Sequence, residues 1–238
     1  MKKPSSNLIF KWILFAFVGF YTTVSAQMIE EREETQDELK QAVLESNEET
    51  WGWCSNEKAI SFMDLVFETK PKLCVEIGVY SGASFLPVAA ALKHNGYGEI
   101  VGIDPWDVIE IIRYYDINND QHHLRFWIPI NQNQVYFGFI QLLKRFEVEK
   151  NSIIIRETST KAFPVINEID ILHIDGNHYE KMVVEDVNNY LPKVKQGGYI
   201  WLNDSLWESH KHAYNLLMES CDIIKTVDNG NCTLFKKR

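Results

Sequence analysis

Between residues 56 and 220, short apolar runs alternate with stretches whose apolar positions recur every three or four residues, the periods of buried strands and of amphipathic helices. The pattern predicts a helix over 57–68 that stops before Pro71, a strand over 73–77, a helix over 84–94 and a strand over 99–103. An irregular insertion rich in Asn, Gln and aromatic residues follows over 105–134. A helix over 135–145, strands over 152–156 and 170–174, a helix over 179–190, a strand over 199–202 and a helix over 209–218 come next. The chain closes with a hairpin that turns at Asn229-Gly230. Strands that are apolar throughout and alternate with helices predict an α/β class: a doubly wound, mostly parallel, seven-stranded Rossmann-like sheet with a C-terminal antiparallel hairpin.

In open sheets of this kind, ligands sit beyond the carboxyl ends of the strands. Those ends are polar here: Glu76 and Gly78, then Asp104, then Glu157-Thr158-Ser159, then Asp175-Gly176-Asn177-His178, then Asn203-Asp204. Carboxylates along one rim repel one another unless a cation or a hydrogen-bonding ligand lies among them. The rim therefore predicts a polar ligand or a positive charge.

The first strand runs into Val75-Glu76-Ile77-Gly78-Val79-Tyr80-Ser81-Gly82, two glycines four apart before a helix. Glycine permits positive φ and close approach of a ligand to the main chain. Dinucleotide sites carry G-x-G-x-x-G, and position 80 is Tyr, so a nucleotide-dependent oxidoreductase is disfavoured.

Composition refines this picture at the N-terminus. Lys2, Lys3 and Lys11 precede an apolar run from Trp12 to Tyr21 and the small residues Val24-Ser25-Ala26, the pattern of a secretory signal peptide. The alternative is a membrane anchor, although the run is short of the roughly 20 residues a spanning helix needs. The expected organisation is a signal over 1–26, an acidic linker with N-terminal helices over 27–70, and a catalytic domain over 71–238. The expected location is secreted or periplasmic. Losing three lysines and no acid takes the formal charge from −9 to −12, which excludes nucleic acid as a partner because phosphate binding needs a basic surface. Of the four cysteines, Cys74 falls in a buried strand, and the hairpin pairs Val227 with Cys232, leaving Cys221 roughly 17 Å along the ladder. Cys221 and Cys232 therefore cannot bond there, and no C-x-x-C spacing accompanies Cys54.

Three groups of residues together resemble the class I S-adenosylmethionine-dependent methyltransferases of the methyltransferase-24 type, over about residues 51–220. They are Glu76-Ile77-Gly78-Val79-Tyr80-Ser81-Gly82-Ala83-Ser84, Gly102-Ile103-Asp104-Pro105-Trp106, and Leu172-His173-Ile174-Asp175-Gly176-Asn177-His178 followed by Leu191-Pro192-Lys193 and Gly197-Gly198-Tyr199. The resemblance implies methyl transfer to a hydroxyl of a small molecule, a saccharide being one class of acceptor. It implies that Glu76, Gly78, Tyr80, Ser81, Gly82 and Ser84 cradle the methionyl part of the cofactor. Asp104 would take the ribose, Trp106 the adenine, and Ser159 and Asp175 would complete the cofactor site. It further implies Mg²⁺ on Asp175, Asn203 and Asp204, with Asp175 and His178 catalytic and His178 the general base. Asn203 stands where many relatives have a second acid. His122, His123, Arg125, Phe126 and Trp127 fall in the insertion where the family covers its acceptor, and Trp51-Gly52-Trp53-Cys54 resembles an entry motif. An exported ligand-binding protein retaining the same fold is the non-enzymatic alternative.

Overall fold

The computed structural model describes residues 34–238, so the expected signal peptide or anchor lies outside the described residues. Among the described residues no helix is long and apolar enough to cross a membrane. Thr35 opens helix α1 (Gln36–Glu49) with a capping box, exchanging bonds with Glu38. Ser55 caps α2 (Asn56–Thr69) by accepting from the Lys58 amide, and α2 ends on Lys70 in the left-handed conformation. Acidic though it is, α1 turns Leu39 and Val43 inward, and α1 and α2 together cover α3 (Phe85–Asn95). That cover explains why α3 is buried from Phe85 through Leu92 rather than along one stripe. Each fully buried Phe or Val in this layer, Phe62 and Val43 among them, contributes about 1.5–3 kcal/mol.

The remaining elements follow the alternation closely. Strands β1 (Leu73–Ile77) and β2 (Glu99–Ile103) flank α3, and α4 (Val108–Ile112), α5 (Gln121–Trp127) and α6 (Gln132–Arg145) lead to β3 (Ser152–Ile155). After α7 (Ser159–Ala162) come β4 (Ile169–Ile174), α8 (Glu180–Tyr190), β5 (Val194–Leu202), α9 (Lys211–Ser220), β6 (Cys221–Val227) and β7 (Cys232–Lys237). The insertion expected to be irregular thus holds two short helices and the first turn of α6. Local caps build them: the Asp107 side chain accepts from the Ile109 amide, and Asn131 accepts from Gln134. Five-residue helices carry too little apolar periodicity to be read from sequence. Strand β5 also begins five residues earlier than the pattern predicts, because Gly197 at positive φ carries it through an irregular stretch of the β4–β5 ladder.

The seven strands lie in the order β3-β2-β1-β4-β5-β7-β6. The pairs from β3 to β5 are parallel, and β7 is antiparallel to both β5 and β6. Val227 pairs with Cys232 across the closing turn, and all four cysteines are free. One apolar layer lies under α1–α3 and α6, and the other under α8 and α9. Strand order reverses at β1, between β2 and β4, and a crevice opens there beyond the strand ends.

Candidate active site

The turn after β1 is built around a glycine that nothing else could replace. Gly78 has φ 86°, and a Cβ on it would lie 2.0 Å from the Asp175 carbonyl oxygen, so the β1 turn presses directly against the end of β4. The turn is then pinned by Asp104 at the end of β2. Its Oδ2 accepts from the amides of Val79 (3.1 Å) and Tyr80 (2.9 Å), and its Oδ1 accepts from the amide of Trp106 (2.7 Å). Burial raises the pKa of Asp104, and these three amide bonds pull the other way.

The turn forms one wall of a cavity of about 770 Å³, in the range of about 300–1,000 Å³ typical of small-molecule sites. Of the residues singled out from the sequence, Gly78, Tyr80, Ser81, Ser84, Asp104, Ser159, Asp175, His178, Asn203 and Asp204 line it. Glu76, Gly82 and Trp106 do not. Glu76 is buried beneath the turn, where it accepts from the Ser84 hydroxyl and lies 3.5 Å from His173 Nδ1. Gly82 makes room for Phe139, whose ring a Cβ would meet at 2.5 Å. Trp106 is turned into the core, stacked on Phe139 with its Nε1 donating to the Tyr80 carbonyl at 2.7 Å. These three shape the turn from below, and the adenine-packing role for Trp106 does not follow from where its indole lies.

Next to this turn, the ends of β4 and β5 bring together Asp175, His178 and Asp204. His178 Nε2 lies 3.2 Å from Asp204 Oδ2 and 3.9 Å from Asp175 Oδ1, and its ring is held edge-on by Trp207. Burial favours the neutral ring, but the pull of Asp175 and Asp204 outweighs it and raises the His178 pKa. Asp175 is held below its usual range: His178, His173 and Lys58 together outweigh the effect of its burial. Asp204 moves up, through burial and the charge of Asp175. His210, behind the ring, is pushed down to about 4 by burial and by His178.

Two neighbours were not apparent from sequence. Lys58 reaches in from α2 and is 1 % exposed; its Nζ donates to Asn203 Oδ1 at 2.6 Å and to the Trp53 carbonyl at 2.8 Å. Asn203 Nδ2 in turn donates to Asp175 Oδ1 at 2.9 Å. A signal existed: Lys58 shares the helical stripe of Phe62, Leu65 and Val66, the buried face of α2. Asp186 of α8 also lines the cavity, buried beside Ser159, and burial pushes its pKa up to about 7.

Aromatic residues form the mouth. Trp53 stacks on Tyr80 at 5.7 Å between ring centres, and Phe126 and Trp127 of α5 close against them. Ser81 Oγ donates to the Trp51 carbonyl, so the entry segment is fastened at both ends of its Trp-Gly-Trp run. His122 and His123 line the cavity with them, whereas Arg125 bonds Gln121 on its own helix. Asn177 Nδ2 donates to the Ile111 carbonyl at 2.8 Å, which ties the cover helix α4 to the loop after β4.

Asp175, His178 and Asp204 each bring one ligand atom within 4.8 Å of the others. Magnesium asks for hard oxygens in near-octahedral array. Here one of the three donors is an imidazole, and the oxygen expected from Asn203 is committed to an ammonium group. The donor set does not match the magnesium centre that the sequence resemblance implied.

Comparison with known proteins agrees with this architecture. A family model described as a methyltransferase domain matches residues 75–205, more than half of the chain. An uncharacterised protein of Acanthamoeba polyphaga mimivirus is 25% identical over 174 residues, 71% of this chain and 67% of that protein. An uncharacterised protein of Sinorhizobium fredii is 26% identical over 157 residues, 65% of this chain but only 15% of its own length. Among solved structures, the O-methyltransferase TomG from Streptomyces achromogenes, in complex with SAM, is similar at TM-score 0.58 and 14% identity, covering 85% of this chain and 90% of that one. The SAH-bound methyltransferase of Podospora anserina is similar at TM-score 0.57 and 14% identity, covering 88% and 92%. With the family's motifs set along one crevice of a doubly wound sheet, the chain belongs to the methyltransferase-domain family, class I and of the methyltransferase-24 type.

Proposed function

We propose that this protein transfers the methyl group of S-adenosylmethionine to a hydroxyl oxygen of a small-molecule acceptor. One observation carries the reading: a single cavity joins the Asp104-pinned turn to a histidine held between two carboxylates. The lining suits the cofactor, since Asp104, Asp175, Asp186 and Asp204 place acidic groups around a ligand that is a sulfonium cation. Asp104 keeps lone pairs for ribose hydroxyls, and Ser159 with Asp186 faces the neighbouring wall. When bound, the cofactor supplies the methyl group and leaves as its neutral sulfide.

The chain's residues then have two tasks. His178 takes the proton from the acceptor hydroxyl as the new C–O bond forms, and Asp204 and Asp175 stabilise the imidazolium that results. The second task is alignment: the residues lining the cavity would hold the acceptor and the cofactor next to each other, which is where direct displacement gains most from an enzyme. No step requires a metal. An acceptor with hydroxyls for the carboxylate end and an apolar face for Trp53, Phe126 and Trp127 fits this cavity, and a saccharide has both.

Calorimetric titration of the full chain tests the reading. S-adenosylmethionine or S-adenosylhomocysteine is expected to bind at one site per chain. NADH binding without any heat from S-adenosylmethionine would overturn the assignment in favour of an oxidoreductase.

A further inference from the structure

The cluster of two carboxylates needs a positive charge, and the chain provides one of its own. Lys58 Nζ, Asn203 and Asp175 form a continuous relay: the amide oxygen accepts from the ammonium at 2.6 Å, and the amide nitrogen donates to the carboxylate at 2.9 Å. The second acceptor of the ammonium is the Trp53 carbonyl at 2.8 Å, so the same lysine anchors the aromatic mouth. At 1 % exposure Lys58 has little water to solvate it, and a buried ammonium persists only where acceptors and negative charge offset its desolvation. Asp175 and Asp204 supply that charge.

We infer that Lys58 stands in for a divalent cation in this protein, making the acceptor end of the site metal-independent, with Lys58 a positioning residue for Asp175 and for the Trp53 segment. This rests on the proposed methyl transfer only for its consequence; the charge exchange itself concerns the chain's own residues. Three features oppose a dication among them. The Asn203 oxygen is already taken, the imidazole of His178 lies against both carboxylates, and a dication would face a buried ammonium across a single amide. Restoring an acid at position 203 and removing the lysine reverses all but the second.

Manganese binding to the full chain, read by electron paramagnetic resonance, tests this without any acceptor. Wild type is expected to bind no more Mn²⁺ than the Asp175→Ala/Asp204→Ala control. The Lys58→Met/Asn203→Asp variant is expected to bind one Mn²⁺ at least about tenfold more tightly than wild type, a change of about 1.4 kcal/mol, and to lose it when Asp204→Asn is added. Lys58→Arg, which keeps the charge, is expected to stay as metal-free as wild type. Wild type that binds Mn²⁺ and loses it in Asp204→Asn overturns the inference, and that arm needs no variant to fold beyond the conservative amide. S-adenosylmethionine calorimetry on the same wild-type sample reports on the methyltransferase reading separately. A chain that binds both the cofactor and Mn²⁺ at Asp204 would contradict only the metal-independence.

Discussion

Replacing His178 by alanine is expected to lower kcat by about 10² to 10⁴, the usual range for a lost general base, while leaving affinity for S-adenosylmethionine close to wild type. The separation follows from position: His178 lies at the ends of β4 and β5, and the turn and Asp104 lie at the ends of β1 and β2. Steady-state release of S-adenosylhomocysteine, using an acceptor found by screening hydroxylated compounds, measures the rate; calorimetry measures the affinity. The pH profile adds an independent check. A base works only when deprotonated, and the His178 pKa is raised, burial being outweighed by Asp175 and Asp204. Activity is therefore expected to fall as pH drops through an apparent pKa above the ordinary histidine value of about 6.5. Asp204→Asn removes one of the charges responsible, so it is expected to move that limb to lower pH. A limb that does not move in Asp204→Asn, with full activity in His178→Ala, would remove the histidine from the chemistry.

Asp104→Ala is expected to weaken S-adenosylmethionine binding by about 100-fold or more, equivalent to about 2.8 kcal/mol. The carboxylate is the shared acceptor for the amides of Val79, Tyr80 and Trp106. Its removal strands three donors at the floor of the site, and each buried donor left unpaired costs about 1–3 kcal/mol. The turn then loses the shape that a ligand meets, and a fall in thermal stability is expected alongside. Asp104→Asn retains one acceptor oxygen and is expected to lose less on both counts. Equal losses in the two variants would mean that charge, and not the amide bonds, is what matters at this position.

How much of this was legible in the sequence depends on whether the cause was local. The strand–helix alternation, the polar strand ends and the hairpin register at Asn229-Gly230 were, because buried strands and two-residue turns leave their signature within a few residues. Trp106 shows the opposite case. A Trp just beyond a strand end can either pack on the cofactor or turn inward, and it is Phe139 and Tyr136 of α6, some thirty residues on, that draw it into the core. Glu76 and Gly82 went the same way, since the motif marks the turn without saying which of its side chains face the cavity. The crowded acidic rim did announce a missing partner, either a positive charge or a hydrogen-bonding ligand. What it could not announce was the source, because a lysine 145 positions from its partner in the chain is joined to it only by the packing of α2 on the sheet. Asn203, read as a weakened metal ligand, accepts from Lys58 and donates to Asp175, since an amide can bridge an ammonium and a carboxylate with one bond to each.

A crystal structure of the full chain with S-adenosylhomocysteine tests the proposed methyl-transfer site most directly. The ligand's ribose hydroxyls are expected on Asp104, its sulfur in the cavity facing His178, and the Lys58–Asn203–Asp175 relay intact beside the space left for the acceptor. The ligand bound outside this cavity, or seated with its adenine against His178 and its sulfur turned away, would contradict that site.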